Sequence, residues 1–365
     1  MNEKLANVQV LRGVACLLVV AFHLADIEAR FGLGFNPLKP VRWFGYAGVD
    51  LFFVLSGFII ATTARPDLGR PRALPGYLFR RLWRVYPAYW AALGVAAGVY
   101  LALSPDPLFR TGWPVEAVDS LLLLPQPTLS RLLPVAWTLS FEVMFYLAFA
   151  VLFVLPRGAI GVWLAAWAGG VAWAAAAGVA PANRFAGLAA SPFVLEFLAG
   201  CTLAFVRPPL SRRTAAALVA LAVGWAAAGS ILTYRPDHAW LVTHLLERVF
   251  VFGPAAVLVL FALVGYERAG GRLPWPRLVA VGNASYAIYL LHFPAFVAAL
   301  YLTMLVKWGH AKGPHVVWLA AMLAAGVLPG LLFHRVVERP LLRLGTRRPR
   351  PPAIPVEPLP TRRAA

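Results

Sequence analysis

The sequence predicts an all-α, polytopic membrane protein, and two observations carry that prediction. Hydrophobic residues make up 61% of the 365-residue chain and charged residues only 13%, whereas soluble domains average about 45–50% and about 25%. Apolar runs of about 20 residues, the length of an α-helix that crosses a bilayer, recur along the whole chain. This composition excludes a large soluble helical protein.

The apolar runs predict about ten transmembrane helices joined by loops. No soluble domain fits between the runs. We expect one transmembrane domain over residues 1–344 and a Pro- and Arg-rich tail over residues 345–365, which lacks periodicity and is predicted to be disordered. The predicted helices lie at residues 8–28, 44–64, 87–104, 135–155, 159–179, 189–206, 214–233, 245–265, 281–306 and 315–336.

The formal net charge of +18 is located in the loops between the apolar runs and in the tail. This distribution is typical of membrane topology, so we expect membrane lipid as a partner and no nucleic acid. Lys and Arg are concentrated in alternate loops, which predicts that both termini are cytoplasmic. The two cysteines, Cys16 and Cys201, belong to no metal-ligand spacing, so we expect no metal. The sequence leaves the oligomeric state open.

The first predicted helix carries two polar side chains within an apolar stretch. Arg12 and His23 are eleven residues apart, so on an α-helix they fall on one stripe about 16 Å apart. Such side chains are costly inside a membrane unless they face a polar cavity or a partner. We therefore predict a functional site along this helix.

Two carboxylates are expected near the depth of His23. Asp50 and Glu142 each lie about two turns below the outer end of a predicted span. A carboxylate bonded to one imidazole nitrogen fixes the tautomer and makes the other nitrogen a general base. We expect Asp50 or Glu142 to orient His23 in catalysis. The alternative is that these carboxylates neutralise Arg12 or Arg248.

A basic and aromatic segment, residues 76–90, precedes the third predicted span. Its three arginines, Arg80, Arg81 and Arg84, lie within about one helical turn of one another. Guanidinium groups suit phosphate oxygens, so the segment predicts a phosphate-binding site. The alternative is an ordinary positively charged anchor at the membrane surface.

Four further side chains are candidate substrate contacts within the spans: Ser140, Tyr146, Tyr289 and His292. Ser140 either bonds a polar intermediate or satisfies a helix carbonyl. His292 either contacts substrate or is a hydrogen-bonded core histidine.

Six motifs in one order resemble the acyltransferase family 3 membrane proteins, over essentially the whole membrane domain. They are Arg12-Gly13 with His23, GVDLFFVLSGF at residues 48–58, RRLWRVYP at 80–87, WTLSFE at 137–142 followed by Tyr146, ASYAIYLLH at 284–292, and VERP at 337–340.

The resemblance implies a ten-helix O-acyltransferase of a bacterial-type inner membrane. Such an enzyme moves an acyl group, with acetyl expected, from acyl-CoA to a hydroxyl of a carbohydrate or glycan of the cell envelope. Acylation of a small-molecule antibiotic is an alternative within the family. By match to the family motifs, Arg12 and His23 are the essential first-helix residues, and Arg81 and Arg84 form the cytoplasmic basic motif.

We therefore expect the phosphates of acyl-CoA on the three clustered arginines and its thioester near His23. His23 then deprotonates the acceptor hydroxyl or carries the acyl group transiently. The competing class is a proton-coupled secondary transporter of an organic anion, because intramembrane Arg, His and carboxylates also suit proton coupling. Paired, interrupted helices in two matching halves, which are typical of many transporters, are not visible in the sequence.

Overall fold

The computed structural model describes residues 5–31, 37–103, 113–125, 133–206, 208–233, 244–305 and 315–346. No β-strand occurs among these residues, and nine of their helices are long and apolar enough to cross a membrane. The prediction of an all-α polytopic membrane protein is therefore confirmed. The cytoplasmic location of the termini and the domain boundary at residue 344 stay predictions, and the tail from residue 347 onward lies outside the described residues.

The helices, numbered in chain order, are α1 (Ala6–Phe31), α2 (Ala47–Ala64), α3 (Leu74–Leu103), α4 (Trp113–Leu122), α5 (Trp137–Ala150), α6 (Arg157–Ala176), α7 (Arg184–Ala189), α8 (Phe193–Leu203), α9 (Arg212–Leu232), α10 (Leu245–Arg268), α11 (Pro276–Asn283), α12 (Ser285–Leu305), α13 (His315–Phe333) and α14 (Arg339–Thr346). A π-helical turn, His334–Glu338, joins α13 to α14. Short 3₁₀ turns lie at Lys39–Trp43, Arg65–Asp67, Pro71–Ala73, Pro134–Ala136 and Val151–Phe153.

The predicted sixth span, residues 189–206, is a short helix in the structure. α8 has 11 residues, which is about 16 Å of helix, whereas the bilayer core is about 30 Å thick. Pro192 stands directly before α8, and a proline both lacks a backbone donor and disfavours helix at the residue before it. The apolar run is therefore divided between α7 and α8.

Two glycines let α8 pack directly on the backbone of α2. A Cβ at Gly57 would overlap the carbonyl oxygen of Phe197, and a Cβ at Gly200 would overlap that of Val54. Close approach through small residues is a common way for membrane helices to associate. This contact fixes α2, which carries Asp50, in the bundle.

α1 lies inside the bundle, in contact with α2, α10, α11, α12 and α13. Its closest approach is to α11, where a Cβ at Gly282 would overlap the carbonyl oxygen of Gln9. A Cβ at Gly13 would lie 2.5 Å from the carbonyl oxygen of Leu278 on the same helix α11. This packing brings the start of α12 beside Arg12.

Candidate active site

A large cavity lies at the end of the bundle where α1 and α3 begin and where α14 lies. Its volume is about 1320 Å³, above the roughly 300–1,000 Å³ of most small-molecule pockets. The walls come from α1, α2, α3, α5, α11, α12 and the segment from the end of α13 to α14. The cavity therefore has room for a long ligand.

Arginine side chains dominate the charge of the cavity lining. The lining arginines are Arg12, Arg81, Arg84, Arg335, Arg339 and Arg343. The acidic residues among the described lining are Glu142 and Glu338. Guanidinium groups bind phosphate and carboxylate oxygens through paired hydrogen bonds, so this lining suits an anion with several charges. We call this end of the bundle the basic face.

Both acidic side chains have hydrogen-bond donors one turn away on the same helical segment. Glu142 accepts a hydrogen bond from the hydroxyl of Tyr146, and Glu338 lies 2.7 Å from Nδ1 of His334. Tyr146, a sequence-predicted substrate contact, also lines the cavity. Glu142 therefore belongs to the cavity wall.

Arg12 lies deeper along α1 than the helix end at the basic face. It is six residues from the start of the helix, or about 9 Å. Its Nη2 donates to the hydroxyl oxygen of Ser285, the first residue of α12, at 2.9 Å. The hydrogen bond holds the guanidinium in the polar wall of the cavity, where the carboxylates of Glu142 and Glu338 offset part of the positive charge.

Two of the three clustered arginines of α3 line the cavity. Arg81 donates to the hydroxyl of Thr63, and its guanidinium carbon lies 5.8 Å from the centre of the Tyr146 ring. Arg84 lies one turn further into the bundle and also lines the cavity.

Arg80, the third of these arginines, lies outside the lining of this cavity. Arg80 is exposed and is not among the described lining residues. Successive residues of an α-helix differ by about 100° in direction, so Arg80 and Arg81 face different sides, whereas residues three apart share a face.

The imidazoles of His23 and His292 contact each other beyond the cavity lining. Nδ1 of His23 lies 3.2 Å from Nε2 of His292, and the two ring centres are 5.0 Å apart. Each Nδ1 also lies near a carbonyl oxygen one turn earlier, at 3.0 Å from Val19 for His23 and at 3.2 Å from Ile288 for His292.

These contacts assign both tautomers if the imidazoles are neutral. A carbonyl oxygen only accepts hydrogen bonds, so Nδ1 carries the proton on both rings. Nε2 of His292 is then an acceptor, and it accepts from Nδ1–H of His23. The arrangement leaves a lone pair on Nε2 of His23, which is the form that a general base requires.

Tyr289 separates the arginine-lined cavity from the histidine pair. It lines the cavity, and its ring centre lies 5.8 Å from that of His292 and 6.1 Å from that of Phe52. Its hydroxyl donates to the carbonyl of Val135 at 3.0 Å and lies 2.8 Å from the hydroxyl of Thr138. The cavity thus extends to the neighbourhood of the histidines, which are not among its described lining residues.

Asp50 forms a buried ion pair with Arg248 of α10. The distance from Nη2 to Oδ2 is 2.7 Å, and that from Nε to Oδ1 is 3.1 Å. The guanidinium carbon also lies 5.0 Å from the ring centre of Tyr46 and 4.9 Å from that of Phe193. Charge neutralisation, the alternative from the sequence, is what this geometry provides.

The structure places the two predicted carboxylates, Asp50 and Glu142, on partners other than His23. The structure brings His292 to Nδ1 of His23, and the two carboxylates to Arg248 and Tyr146. Counting residues gives depth along a helix axis but not the direction of a side chain around it. His292 is fully buried and contacts His23 rather than lining the cavity.

Ser140 lies apart from the main cavity. Its hydroxyl oxygen is 3.5 Å from the carbonyl oxygen of Leu124, and it lines a separate, mostly apolar cavity of about 520 Å³ with Trp163 and Trp167. The structure does not bring it together with the other candidate residues. Among the residues that the structure describes, no group of three or more His, Cys, Asp or Glu side chains is arranged to hold a metal ion.

Arg335, Arg339 and Arg343 are lining residues that the sequence-based set omitted. Their spacing of four residues, which places them on one helical face, was the available signal. The sequence did not distinguish these arginines as site residues, because basic residues near the C-terminus are also expected from the positive-inside rule for cytoplasmic segments.

Fold and site together define an integral membrane protein with a deep, arginine-lined cavity that extends toward a histidine pair. A family model described as an acyltransferase domain, that of acyltransferase family 3, matches residues 5–334. The chain therefore belongs to acyltransferase family 3 and is an acyl-transferring enzyme. This membership confirms the predicted enzyme class in preference to the transporter.

Similar proteins occur in several bacteria. The chain is 32% identical to the exopolysaccharide production protein ExoZ of Rhizobium meliloti, over 83% of this chain and 92% of that protein. It is 30% identical to the acyltransferase MdmB of Streptomyces mycarofaciens, over 95% and 94%. It is 25% identical to the peptidoglycan O-acetyltransferase OatA of Listeria monocytogenes, over 92% of this chain and 55% of that protein. No solved structure matches the chain at a significant level.

Proposed function

We propose that this protein is an O-acyltransferase of the bacterial cytoplasmic membrane that moves an acetyl or similar acyl group from acyl-CoA to a hydroxyl of a carbohydrate or glycan. The observation that carries the proposal is an arginine-lined cavity that ends next to a histidine pair. Acyl-CoA has phosphates at one end and a thioester at the other, and these two features match those ends. The relatives named for exopolysaccharide and peptidoglycan support a glycan acceptor.

The donor enters from the basic face, which the positive-inside rule favours as the cytoplasmic face. Its diphosphate binds Arg81 and Arg84, and its uncharged arm passes Arg12. Arg12 and His23 are about 16 Å apart along α1, which suits a ligand whose anionic and reacting ends are far apart. Tyr289 borders the route to His23 and contacts the arm or the acyl group.

His23 acts as the general base in the transfer. Its Nε2 takes the proton of the acceptor hydroxyl while the hydroxyl oxygen attacks the thioester carbonyl carbon. The tetrahedral intermediate then breaks its C–S bond, and the proton on Nε2 passes to the departing thiolate. The products are the ester and free CoA, and His23 returns to its neutral form.

A relay through His23 is the alternative order of the same steps. In the relay, Nε2 attacks the thioester carbonyl carbon and CoA leaves as a thiolate; the acceptor hydroxyl then attacks the acylated imidazole, its proton passes to the thiolate, and Nε2 regains its lone pair. Both orders need the lone pair on Nε2, and His292 maintains it as a positioning residue. Asp50 supports the site indirectly by neutralising Arg248, while Glu142 and Tyr146 shape the cavity wall.

The test is release of free thiol from acetyl-CoA by the full chain, purified in nanodiscs and supplied with glycan acceptors. We expect His23→Ala to lower turnover about 100-fold or more, the usual contribution of a general base or nucleophile, while calorimetry still detects acetyl-CoA binding. Arg213→Gln, an exposed arginine outside the cavity lining, is the matched control and should keep wild-type turnover.

Full turnover by a folded His23→Ala enzyme would overturn the assigned base. Absence of both acetyl-CoA binding and thiol release in the wild-type protein would overturn the donor.

A further inference from the structure

We infer that Arg335, Arg339 and Arg343 form a second phosphate subsite, which binds the 3′-phosphate at the nucleotide end of the acyl donor. We call these residues the C-terminal arginine row. The inference rests on the proposed acyl-CoA donor and adds to it which end of the donor each set of arginines contacts.

The C-terminal arginine row is presented by one helical segment. Its members lie four residues apart, from the π-helical turn into α14, and all three line the cavity. Residues four apart share a helix face, so the row forms a continuous cationic edge along the cavity.

The segment is attached to the helix that carries the other phosphate-binding arginines. Nε1 of Trp83 on α3 donates to the carbonyl oxygen of Leu341 on α14 at 2.8 Å. A Cβ at Gly345 would overlap the Trp83 ring, so α14 lies directly on α3. The contact between α3 and α14 therefore fixes the position of the C-terminal arginine row relative to Arg81 and Arg84.

Exposure orders the arginines from the mouth of the cavity inward. Arg339 and Arg343 are exposed, whereas Arg81, Arg84 and Arg12 are partly buried. The groups of an acyl-CoA follow a matching order: the thioester is at one end, the diphosphate lies between, and the ribose 3′-phosphate is on the far side of the diphosphate. With the thioester directed toward His23, the 3′-phosphate lies at the mouth, where the row is.

The charge of this phosphate matches the row. A phosphate monoester carries between one and two negative charges at neutral pH, and several guanidinium groups can bind its oxygens together. The carboxylate on the same segment, Glu338, is buried and directed to His334, so it does not belong to the exposed edge.

The test compares calorimetric binding of CoA and 3′-dephospho-CoA to the full chain in nanodiscs of neutral phosphatidylcholine. Neutral lipid is used because exposed arginines also bind anionic headgroups. We expect the wild-type protein to bind CoA about tenfold more tightly than dephospho-CoA, the size of one charge-assisted contact. Arg339→Gln and Arg343→Gln should remove most of this difference in affinity while changing the affinity for dephospho-CoA less than about twofold. The control Arg213→Gln should retain the wild-type preference for CoA.

Three results would overturn the subsite. The wild-type protein binding both nucleotides equally would show that no arginine reads the 3′-phosphate. If Arg339→Gln weakens the binding of CoA and of dephospho-CoA equally, the C-terminal arginine row attracts anions in general and does not recognise the 3′-phosphate. A wild-type protein that binds neither nucleotide would remove the proposed donor itself, and this outcome is distinct from the first two because those retain CoA binding.

Discussion

Nδ1 of His23 on α1 lies 3.2 Å from Nε2 of His292 on α12, across 269 positions of the chain. The contact gives His23, the proposed general base, an imidazole as its partner. A carboxylate partner would stabilise the protonated imidazole, whereas an imidazole partner fixes the tautomer without adding a negative charge. The site therefore orients its base at little cost in buried charge.

Replacing His292 tests this arrangement. We expect His292→Ala to lower kcat by about tenfold or more, because Nδ1–H of His23 loses one of its two acceptors and the ring is held less firmly in its orientation. His292→Gln should recover much of the loss, since its side-chain oxygen supplies an acceptor near the position of Nε2. The measurement is kcat and KM for acetyl-CoA across pH.

A structural role alone predicts a different pattern for this pair of variants. If His292 only fills space, the alanine and glutamine variants should lose thermal stability and activity together, with no preferential recovery by glutamine. Unchanged KM with lowered kcat supports positioning.

The buried pair of Asp50 and Arg248 predicts a large effect on stability. Asp50→Ala removes the carboxylate to which the guanidinium of Arg248 is bonded, and breaking a buried ion pair in this way typically costs about 3–5 kcal/mol. We expect a clear fall in the unfolding temperature of Asp50→Ala. The double variant Asp50→Ala with Arg248→Met should recover part of the loss, because it removes the guanidinium as well. Equal stability of Asp50→Ala and wild type would contradict this account.

The two faces of the basic segment on α3 predict different kinetics for neighbouring arginines. Arg84→Gln removes a guanidinium from the cavity, so we expect KM for acetyl-CoA to rise about tenfold. Arg80→Gln changes an exposed side chain outside the lining and should change KM less than about twofold. Initial rates over a range of donor concentrations distinguish the two, and equal effects would remove the assignment of the site to one face.

The close contact between α2 and α8 predicts that a Gly→Ala substitution within it lowers the unfolding temperature, whereas one at an open helix surface does not. Gly57→Ala drives a Cβ into the carbonyl of Phe197, so the variant should unfold at a lower temperature. At Gly94 on α3, a Cβ would meet no heavy atom within 4 Å beyond the local helix backbone, so Gly94→Ala should be neutral or gain about 0.5–1 kcal/mol from helix propensity. Similar melting temperatures for the two variants would show that α2 and α8 are not in close backbone contact.

Much of this architecture follows from the lengths of the apolar runs. A run near 20 residues has one low-energy structure in a bilayer, so the helices could be predicted without knowledge of their neighbours. Arg12 and Arg84 could be predicted as site residues for a similar reason, because a guanidinium in or beside such a run requires a polar environment.

Partner choice could not be predicted in the same way. The depths of Asp50 and Glu142 were compatible with contact to His23, but the rotation and neighbours of each helix decide which groups meet. Pairing of Asp50 with Arg248, and of His23 with His292, depends on contacts between distant parts of the chain. The positive-inside rule already accounted for Arg339, and only its position in the cavity lining distinguishes it from other basic residues.

The π-helical turn His334–Glu338 sets the angular phase of everything that follows it. A π turn holds one residue more than an α turn, and one residue corresponds to about 100° of rotation. Deleting one residue from this turn would leave an ordinary α turn, so α14 would keep its angular phase and the same face toward the cavity. The same deletion made inside α14, between Arg339 and Arg343, would instead rotate Arg343 by about 100° relative to Arg339 and separate two arginines that now share one face.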